Sequence, residues 1–116
     1  MAYVDGFLIP IKKTKLKAYK KMALLGKKTW MKLGALDYME CVGDDLAAKW
    51  GTPFPRVLKL KAGETAIFAF IVFKSRAHRD RVNAKMMKEM ADAPMEMPFD
   101  MKRMAYGGFK VLVSAK

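Results

Sequence analysis

Two polar residues on the second predicted helix occupy a side that is otherwise apolar. Val82, Met86 and Met90 recur every four residues, and Arg79 and Asn83 project from the same side, one turn apart. Polar groups on a buried face must find partners, because their transfer out of water is otherwise unfavourable. We therefore predict either a structural hydrogen-bonding pair that ties this helix to its neighbours, or a pair of donors aimed into a ligand pocket.

Two carboxylates lie within apolar strand patterns, Asp5 in the first strand and Glu40 in the second. A carboxylate in an apolar cleft has a raised pKa and can act as a general base. Each is equally able to pair with Arg79 or Arg103. The sequence shows no constellation of nucleophile, base and orienting residue, so it leaves open whether the protein is an enzyme.

The stretch "MPFDMKRMAYGGF", Met97 to Phe109, precedes an apolar run. Gly107 and Gly108 lie inside a strand pattern, which predicts a bulge or a close approach of the backbone to a neighbour. We interpret the stretch first as the joint that leads the chain into its last strand.

A second interpretation makes the same stretch a binding site. It places Arg103 and Tyr106 in a cleft beside Phe99 and Asp100, where the forked arginine side chain clamps a carboxylate or phosphate. With the residues above, this nominates six ligand-binding candidates: Asp5, Glu40, Arg79, Asn83, Arg103 and Tyr106.

The chain is strongly basic, with 23 Lys and Arg against 11 Asp and Glu and a net charge of +12. Such a charge attracts polyanions, mostly without sequence preference. One face of the first predicted helix carries Lys17, Lys21, Lys28 and Lys32. Binding of RNA or another nucleic acid through this face is our alternative function. No aromatic residues are interleaved for base stacking, so a solvated helix face explains the pattern equally well.

Several classes of site and location are disfavoured. One His and one Cys argue against a zinc site, and no phosphate-binding glycine loop or dinucleotide fingerprint is present, so we predict no metal and no cofactor.

The longest apolar run, residues 66–73, is too short to span a membrane. The N-terminal residues resemble a strand rather than a signal peptide, and a single Cys fits a reducing compartment, which predicts a cytoplasmic protein.

A small number of helices and strands must position these candidate residues. A length of 116 residues predicts one domain over positions 1–116. Period-two patterns predict strands at residues 3–11, 35–43, 64–73 and 105–114. Period-3.6 patterns predict a first helix, capped by Thr14 and ended by Gly34, whose apolar stripe runs from Leu16 to Leu33. They also predict a second helix from the cap Ser75 to about Ala91. Between them we expect a helical turn at residues 46–50 and a further strand segment at residues 56–60.

The order strand, helix, strand, strand, helix, strand is typical of the ferredoxin-like βαββαβ arrangement, an α+β fold with a four-stranded antiparallel sheet and both helices on one face. The strands are apolar on both sides. We therefore predict that a second copy covers the other face by two-fold symmetry, which gives a homodimeric α/β barrel.

Four motifs carry a resemblance to a known family: "YVDGF", "GALDYMEC", "RDRVNAKMM" and "MPFDMKRMAYGGF". Together they resemble the YbaA-like family of small bacterial proteins, and the match spans nearly the whole chain. That family resembles the dimeric α/β barrels of antibiotic-biosynthesis monooxygenases, which implies the same fold and dimer here. It offers no established catalytic residues. This chain departs from the family pattern at Met101, where Gly is usual.

These observations predict a homodimeric barrel that binds a small organic molecule in a cleft between sheet and helices. A cofactor-free reaction resembling that of a monooxygenase or an isomerase follows from analogy of fold alone.

Overall fold

Four strands form one antiparallel sheet in the computed structural model, which describes residues 2–116. The strands are β1 (Tyr3–Lys12), β2 (Asp37–Val42), β3 (Glu64–Phe73) and β4 (Ala105–Lys110). Their order across the sheet is β2-β3-β1-β4, so the first and third strands are central. The predicted α+β fold with a four-stranded antiparallel sheet is confirmed, and this strand order is consistent with a ferredoxin-like fold.

The helices are α1 (Leu16–Leu33), α2 (Phe54–Val57) and α3 (Arg76–Asp92), and the two long ones pack on the same face of the sheet. α1 ends at Gly34, whose φ of 120° favours glycine. α3 begins at the predicted cap, since the Ser75 hydroxyl accepts a hydrogen bond from the His78 backbone N–H at 3.1 Å. Thr14 does not cap α1, because it lies in a 3₁₀ turn that runs directly into the helix.

The connection from β2 to β3 differs from prediction. Residues 46–50 form no helical turn, and the predicted strand segment at residues 56–60 is wrong. The helical turn is instead α2, at "FPRV". Pro55 lies in its first turn, where a fixed φ favours helix and the missing N–H has no partner to lose. The last strand also ends at Lys110 rather than residue 114.

Two clusters of buried side chains lie between the sheet and the helices. One is centred on Ile9, Ile11 and Tyr19, and the other on Phe73 and Val82. Both are built on the ladder between β1 and β3, in which ten residue pairs from Tyr3↔Phe73 to Lys12↔Glu64 stay in register. Phe7 packs against both clusters, so it lies at the boundary between them.

The Gly107–Gly108 pair lies in an unbroken ladder between β4 and β1, so there is no bulge. The alternative prediction, a close approach of the backbone to a neighbouring residue, holds at Gly108. A Cβ placed on Gly108 would lie 2.5 Å from the Tyr3 hydroxyl and 2.8 Å from its ring. On Gly107, the nearest atoms would be at 3.7 Å, an ordinary contact. Tyr3 therefore excludes a side chain at position 108 but not at position 107.

Much of the sheet face away from α1 and α3 is uncovered in the single chain. We call it the open face, and it consists of Val4, Gly6 and Leu8 on β1, Asp37, Met39 and Cys41 on β2, Phe68, Phe70 and Val72 on β3, and Ala105, Gly107 and Phe109 on β4. Asp37, at the start of the edge strand β2, is the charged residue of this set. Among residues 2–116, no helix has the length and apolar character that crossing a membrane requires.

Candidate functional site

A cavity of about 470 Å³ lies between the helices and the sheet. Its floor is the sheet, with Phe7, Ile71 and Glu40 among the side chains that reach it. One wall is α1, which contributes Tyr19 and Trp30, and the opposite wall is α3. The chain between α3 and β4 also lines the cavity, with Met95, Met97 and Phe99. A volume of this size accommodates a small organic molecule.

Methionine is the most frequent residue around this cavity, which we call the methionine pocket. Its thioether side chains come from α1, from α3 and from the chain that leads to β4: Met22, Met86, Met90, Met95, Met97, Met101 and Met104. Met side chains are unbranched and polarisable, so they adapt to ligands of different shape. Phe99 extends the apolar wall and packs on Tyr19, with ring centroids 5.8 Å apart.

The polar end of the methionine pocket is the Glu40 carboxylate. The Tyr19 hydroxyl donates to Glu40 Oε1 at 2.6 Å, and the Tyr38 hydroxyl donates to Oε2. Burial, together with the hydrogen bond to Glu40, raises the pKa of both Tyr19 and Tyr38. Both phenols therefore remain protonated donors at neutral pH. They hold the carboxylate in one orientation while each oxygen keeps a further lone pair available.

A second cluster joins α3 to β1 and β4, and it contains four of the six predicted residues. Arg79 NH1 lies 3.0 Å from Asp5 Oδ1 and also donates to the Tyr106 hydroxyl at 3.0 Å. Arg79 NH2 is 3.4 Å from the Tyr3 hydroxyl, and the guanidinium carbon is 4.9 Å from the centroid of that ring. Asn83, one turn along α3, lies beside Asp5, and its buried Oδ1 has no hydrogen-bond partner among residues 2–116.

Charges in this cluster are matched within the protein. Burial raises the pKa of Asp5, while the Arg79 charge and hydrogen bonds from Tyr106 and Asn83 oppose that rise. Burial would lower the pKa of Arg79, but the Asp5 charge and Tyr106 outweigh it, so that pKa is raised. Arg79 Nε lies 2.9 Å from Asp80 Oδ1 without the alignment of a hydrogen bond. NH1 and NH2 of Arg79 thus donate within the protein, while Nε has the Asp80 charge beside it.

Arg103 forms a third, separate site. Its fork binds both oxygens of Glu64, with NH1 2.6 Å from Oε2 and NH2 2.9 Å from Oε1, and NH2 also donates to the Lys59 carbonyl at 3.1 Å. The predicted cleft that combined Arg103 with Tyr106 is therefore divided. Tyr106 lies with Arg79, and the fork of Arg103 is occupied by a carboxylate of the same chain.

Beside Arg103 runs a more open groove of about 790 Å³. It includes Phe99 and Asp100, as predicted, together with basic side chains such as Lys12, Lys15 and Lys61. Asp100 does not pair with a neighbouring basic side chain. Its Oδ1 accepts a hydrogen bond from the Lys102 backbone N–H at 3.0 Å, which caps the 3₁₀ turn at residues 101–103.

The four lysines of the alternative function are exposed on α1. Lys32 Nζ lies 3.7 Å from Glu89 Oε1, so this lysine links α1 to α3. Lys21 borders the open groove. Within residues 2–116, no group of three or more His, Cys, Asp or Glu side chains lies close enough to hold a metal ion.

Sequence reasoning missed the residues that give the methionine pocket its polar end. Tyr19 was part of the apolar stripe of the first helix, and Tyr38 shares a strand face with Glu40. The available signal was a carboxylate flanked two residues away by a tyrosine on the same face, because a phenol on an apolar surface still requires a partner for its hydroxyl.

Comparison with known proteins places the chain among others of unknown function. Residues 2–101 match the family described as "Protein of unknown function (DUF1428)". The chain is 36% identical over 115 residues to "Uncharacterized protein YbaA" of Escherichia coli strain K12, covering 97% of this chain and 98% of that protein. The same values apply to the protein of that name from Shigella flexneri.

A solved structure, "De novo designed protein Foldit4", is similar over 96% of this chain and 99% of its own, with 11% identity and a TM-score of 0.48. That likeness is too distant to carry an argument. The family match and the relatives confirm the resemblance that the sequence motifs predicted. The chain therefore belongs to the DUF1428 family, together with YbaA.

Proposed function

We propose that this protein binds a small organic molecule in the methionine pocket. The observation that carries the proposal is a 470 Å³ apolar cavity with one oriented carboxylate, Glu40, at its polar end. Ligand sites are usually concave and mostly apolar, with a small number of polar groups that fix orientation. Of the three sites described above, the methionine pocket alone combines a mostly apolar lining with a carboxylate, Glu40, that pairs with no cation of residues 2–116.

The Asp5–Arg79 cluster supports this choice by elimination. Its ion pair is formed within the chain, although Arg79 Nε and Asn83 Oδ1 are buried without a hydrogen-bond partner among residues 2–116. Its packing leaves the ionic groups nearly inaccessible, with 1% of the Asp5 side chain and 12% of the Arg79 side chain exposed. We assign it to holding α3 against the sheet, which positions one wall of the methionine pocket.

A catalytic version of the proposal assigns proton removal to Glu40. A base must lie within hydrogen-bonding reach of the proton that it abstracts, and Glu40 is the carboxylate at the pocket floor. A cofactor-free reaction of the monooxygenase or isomerase kind requires such a base. In this version, Glu40→Gln abolishes turnover and leaves binding of an uncharged ligand in place.

Native mass spectrometry of the purified protein, with a variant that fills the pocket, tests the binding proposal. We expect the wild type to carry an additional mass of a few hundred daltons or to bind the neutral dye Nile red. Met90→Trp narrows the pocket rim and should abolish both signals. Met87→Trp, the neighbouring position on α3 and 71% exposed, is the matched control and should keep them. Equal loss in both variants, or no binding by the wild type, would contradict the proposal.

We also propose that the open face binds a second copy of this chain. Met39, Phe68 and Phe109 on this face are 46%, 50% and 62% exposed, and its charged residue, Asp37, lies at the start of the edge strand β2. In a chain of net charge +12, an apolar face without Lys or Arg is where two identical copies can meet without burying like positive charges. Leu112 and Val113, 89% and 87% exposed just beyond β4, offer further apolar surface at the edge of the sheet.

Sedimentation velocity distinguishes this dimer from other contacts. We expect a dimer for the wild type and a monomer for Phe68→Glu, because a charge at the centre of the interface is left without water. Leu24→Glu is the control, since Leu24 is an equally exposed apolar residue on α1. A monomeric wild type, or a dimer broken by Leu24→Glu and kept by Phe68→Glu, would refute the assignment of the open face.

A further inference from the structure

The charge around the methionine pocket is opposite in sign to the charge of the chain. Lys and Arg outnumber Asp and Glu by 23 to 11 overall. Yet among the residues that line the pocket in the described structure there is no Lys or Arg, and the charged ones are Glu40 and Glu89. Glu89 lies near Lys32 at the outer surface. The charge that reaches the apolar interior of the pocket is therefore the negative charge of Glu40.

Within residues 2–116, no cationic side chain pairs with Glu40. No Lys, Arg or His nitrogen of residues 2–116 lies within salt-bridge distance of its carboxylate. Asp5 on β1 and Glu64 on β3, by contrast, each have an arginine partner. A carboxylate facing an apolar cavity without a cation is unfavourable unless hydrogen bonds or a ligand compensate. The two tyrosine hydroxyls supply part of this compensation, and a cation in the cavity would supply the rest.

We propose that the methionine pocket takes an amphiphilic organic cation, a molecule with an apolar body and a protonated amine that contacts Glu40. This inference rests on the proposed function of the pocket. The apolar body packs on the methionines, and the aromatic residues Trp30, Tyr38 and Phe99 line the same pocket, where a ring face attracts a cation. An anionic ligand of the same shape is excluded, because its charge would face Glu40 in a site from which water is displaced.

Three probes of equal length test the charge preference: octylamine, octanol and octanoate, each below the concentration at which it forms micelles, in 150 mM salt. Binding is followed by the fluorescence of Trp30 in a Trp50→Phe background, since Trp50 is 90% exposed and lies outside the pocket. We expect octylamine to bind at least about tenfold more tightly than octanol, with octanoate the weakest, because the charged hydrogen bond to Glu40 adds to apolar burial. The net charge of +12 would by itself favour the anion octanoate over the cation octylamine. The expected order therefore cannot arise from the overall charge of the chain.

Glu40→Gln should bring octylamine and octanol to within about twofold of each other while octanol binding persists, because only the charged contact is lost. Asp92→Asn is the matched control. It removes one negative charge from the exposed end of α3, outside the pocket, and should leave the preference unchanged.

Methyl NMR of methionine locates the binding site in the same samples. Octylamine should shift the methyl signals of the seven pocket methionines and leave those of Met31, Met39 and Met87 in place. If none of the probes binds, the proposed function itself fails. If octanol binds but octylamine is no tighter, or octanoate is tightest, the pocket stands and the cation is ruled out. The wild-type comparison decides this even if Glu40→Gln fails to fold.

Discussion

Arg79 on α3 and Asp5 on the central strand β1 form an ion pair of 3.0 Å that is almost completely removed from water. Arg79 is held on its other sides by Tyr106 and by the ring of Tyr3. The pair thus connects the middle of the sheet to the helix that forms one wall of the methionine pocket. Of the two predicted roles for Arg79, the geometry favours the structural one.

Removing Arg79 alone should therefore destabilise the fold. Arg79→Met leaves the Asp5 carboxylate buried without its partner, and breaking a buried pair in this way costs about 3–5 kcal/mol. The double variant Asp5→Leu with Arg79→Met should lose less, because no charge is then left uncompensated. Urea unfolding at pH 7 measures both.

Arg81→Met is the control for this comparison, since Arg81 is exposed on the same helix, and its effect should stay within about 0.5 kcal/mol. An Arg79→Met variant that is as stable as the wild type and has lost its ligand would reverse our assignment and place Arg79 in the binding site.

The two adjacent glycines of β4 should respond differently to the same substitution. Gly108→Ala forces its methyl group against Tyr3 and should cost about 1–3 kcal/mol. Gly107→Ala meets only ordinary contacts and should change stability by less than about 0.5 kcal/mol. In a Tyr3→Leu background the cost of Gly108→Ala should shrink, which a thermodynamic cycle would detect. If both substitutions lowered the free energy of unfolding equally, a difference in strand propensity between glycine and alanine, and not contact with Tyr3, would account for the effect at position 108.

The Arg103–Glu64 pair predicts a defined dependence of stability on pH. The hydrogen bonds from Arg103, then the backbone bond from Lys61, lower the pKa of Glu64 from its ordinary value of 4.5 to about 2. The unfolded chain therefore binds this proton more tightly than the folded one. The stabilisation is present above pH 4.5 and is lost as the pH falls from 4.5 toward 2.

Arg103→Gln should return the pKa of Glu64 toward 4.5 and flatten the loss of stability in that window. A carboxyl ¹³C titration of Glu64 measures the first effect, and urea unfolding at several acid pH values measures the second. Arg56→Gln, a change of the same type at an exposed arginine, should alter neither. A Glu64 titration that is unmoved by Arg103→Gln would show that the pair does not form in solution.

Nucleic-acid binding through α1 remains a prediction, and salt dependence tests it. With four lysines on single-stranded RNA phosphates, the logarithm of affinity should fall with the logarithm of salt with a slope of roughly −3. Changing Lys17, Lys21, Lys28 and Lys32 to Glu should abolish that binding. Changing Lys49, Lys85, Lys88 and Lys110 to Glu gives the same net charge and should weaken it only partly. Equal effects of the two sets would mean that the total charge, not the α1 face, attracts RNA.

The sequence patterns correctly predicted those strand and helix boundaries that are set by residues close together in the sequence. The bounds of β3 were predicted as residues 64–73 because an apolar run between turn residues is a local signal. The end of α1 at Gly34 followed for the same reason. The helical turn at Phe54–Val57 was missed, because two prolines in five residues suit either an edge strand or the first turn of a helix.

The site was less accessible to sequence reasoning because it depends on how elements pack. The sequence identified Glu40 as a carboxylate in apolar surroundings, but it gave Arg79 and Arg103 as equal partners. Packing of α1 on β2 brings Tyr19 to Glu40 instead, while the arginines pair elsewhere. The rotation of a helix about its axis and the register of a strand decide which acidic and basic side chains pair. Neither property can be read from a single position of the sequence.

The central position of β1 has a consequence for folding. β1 pairs with β3 along ten residues and with β4, and both of these strands follow it at a distance in the sequence. Until residues 64–73 pair with it, the apolar surface of β1 stays exposed. Both ladders of the central strand therefore join distant parts of the chain, and such contacts slow folding and extend the interval in which aggregation competes with it.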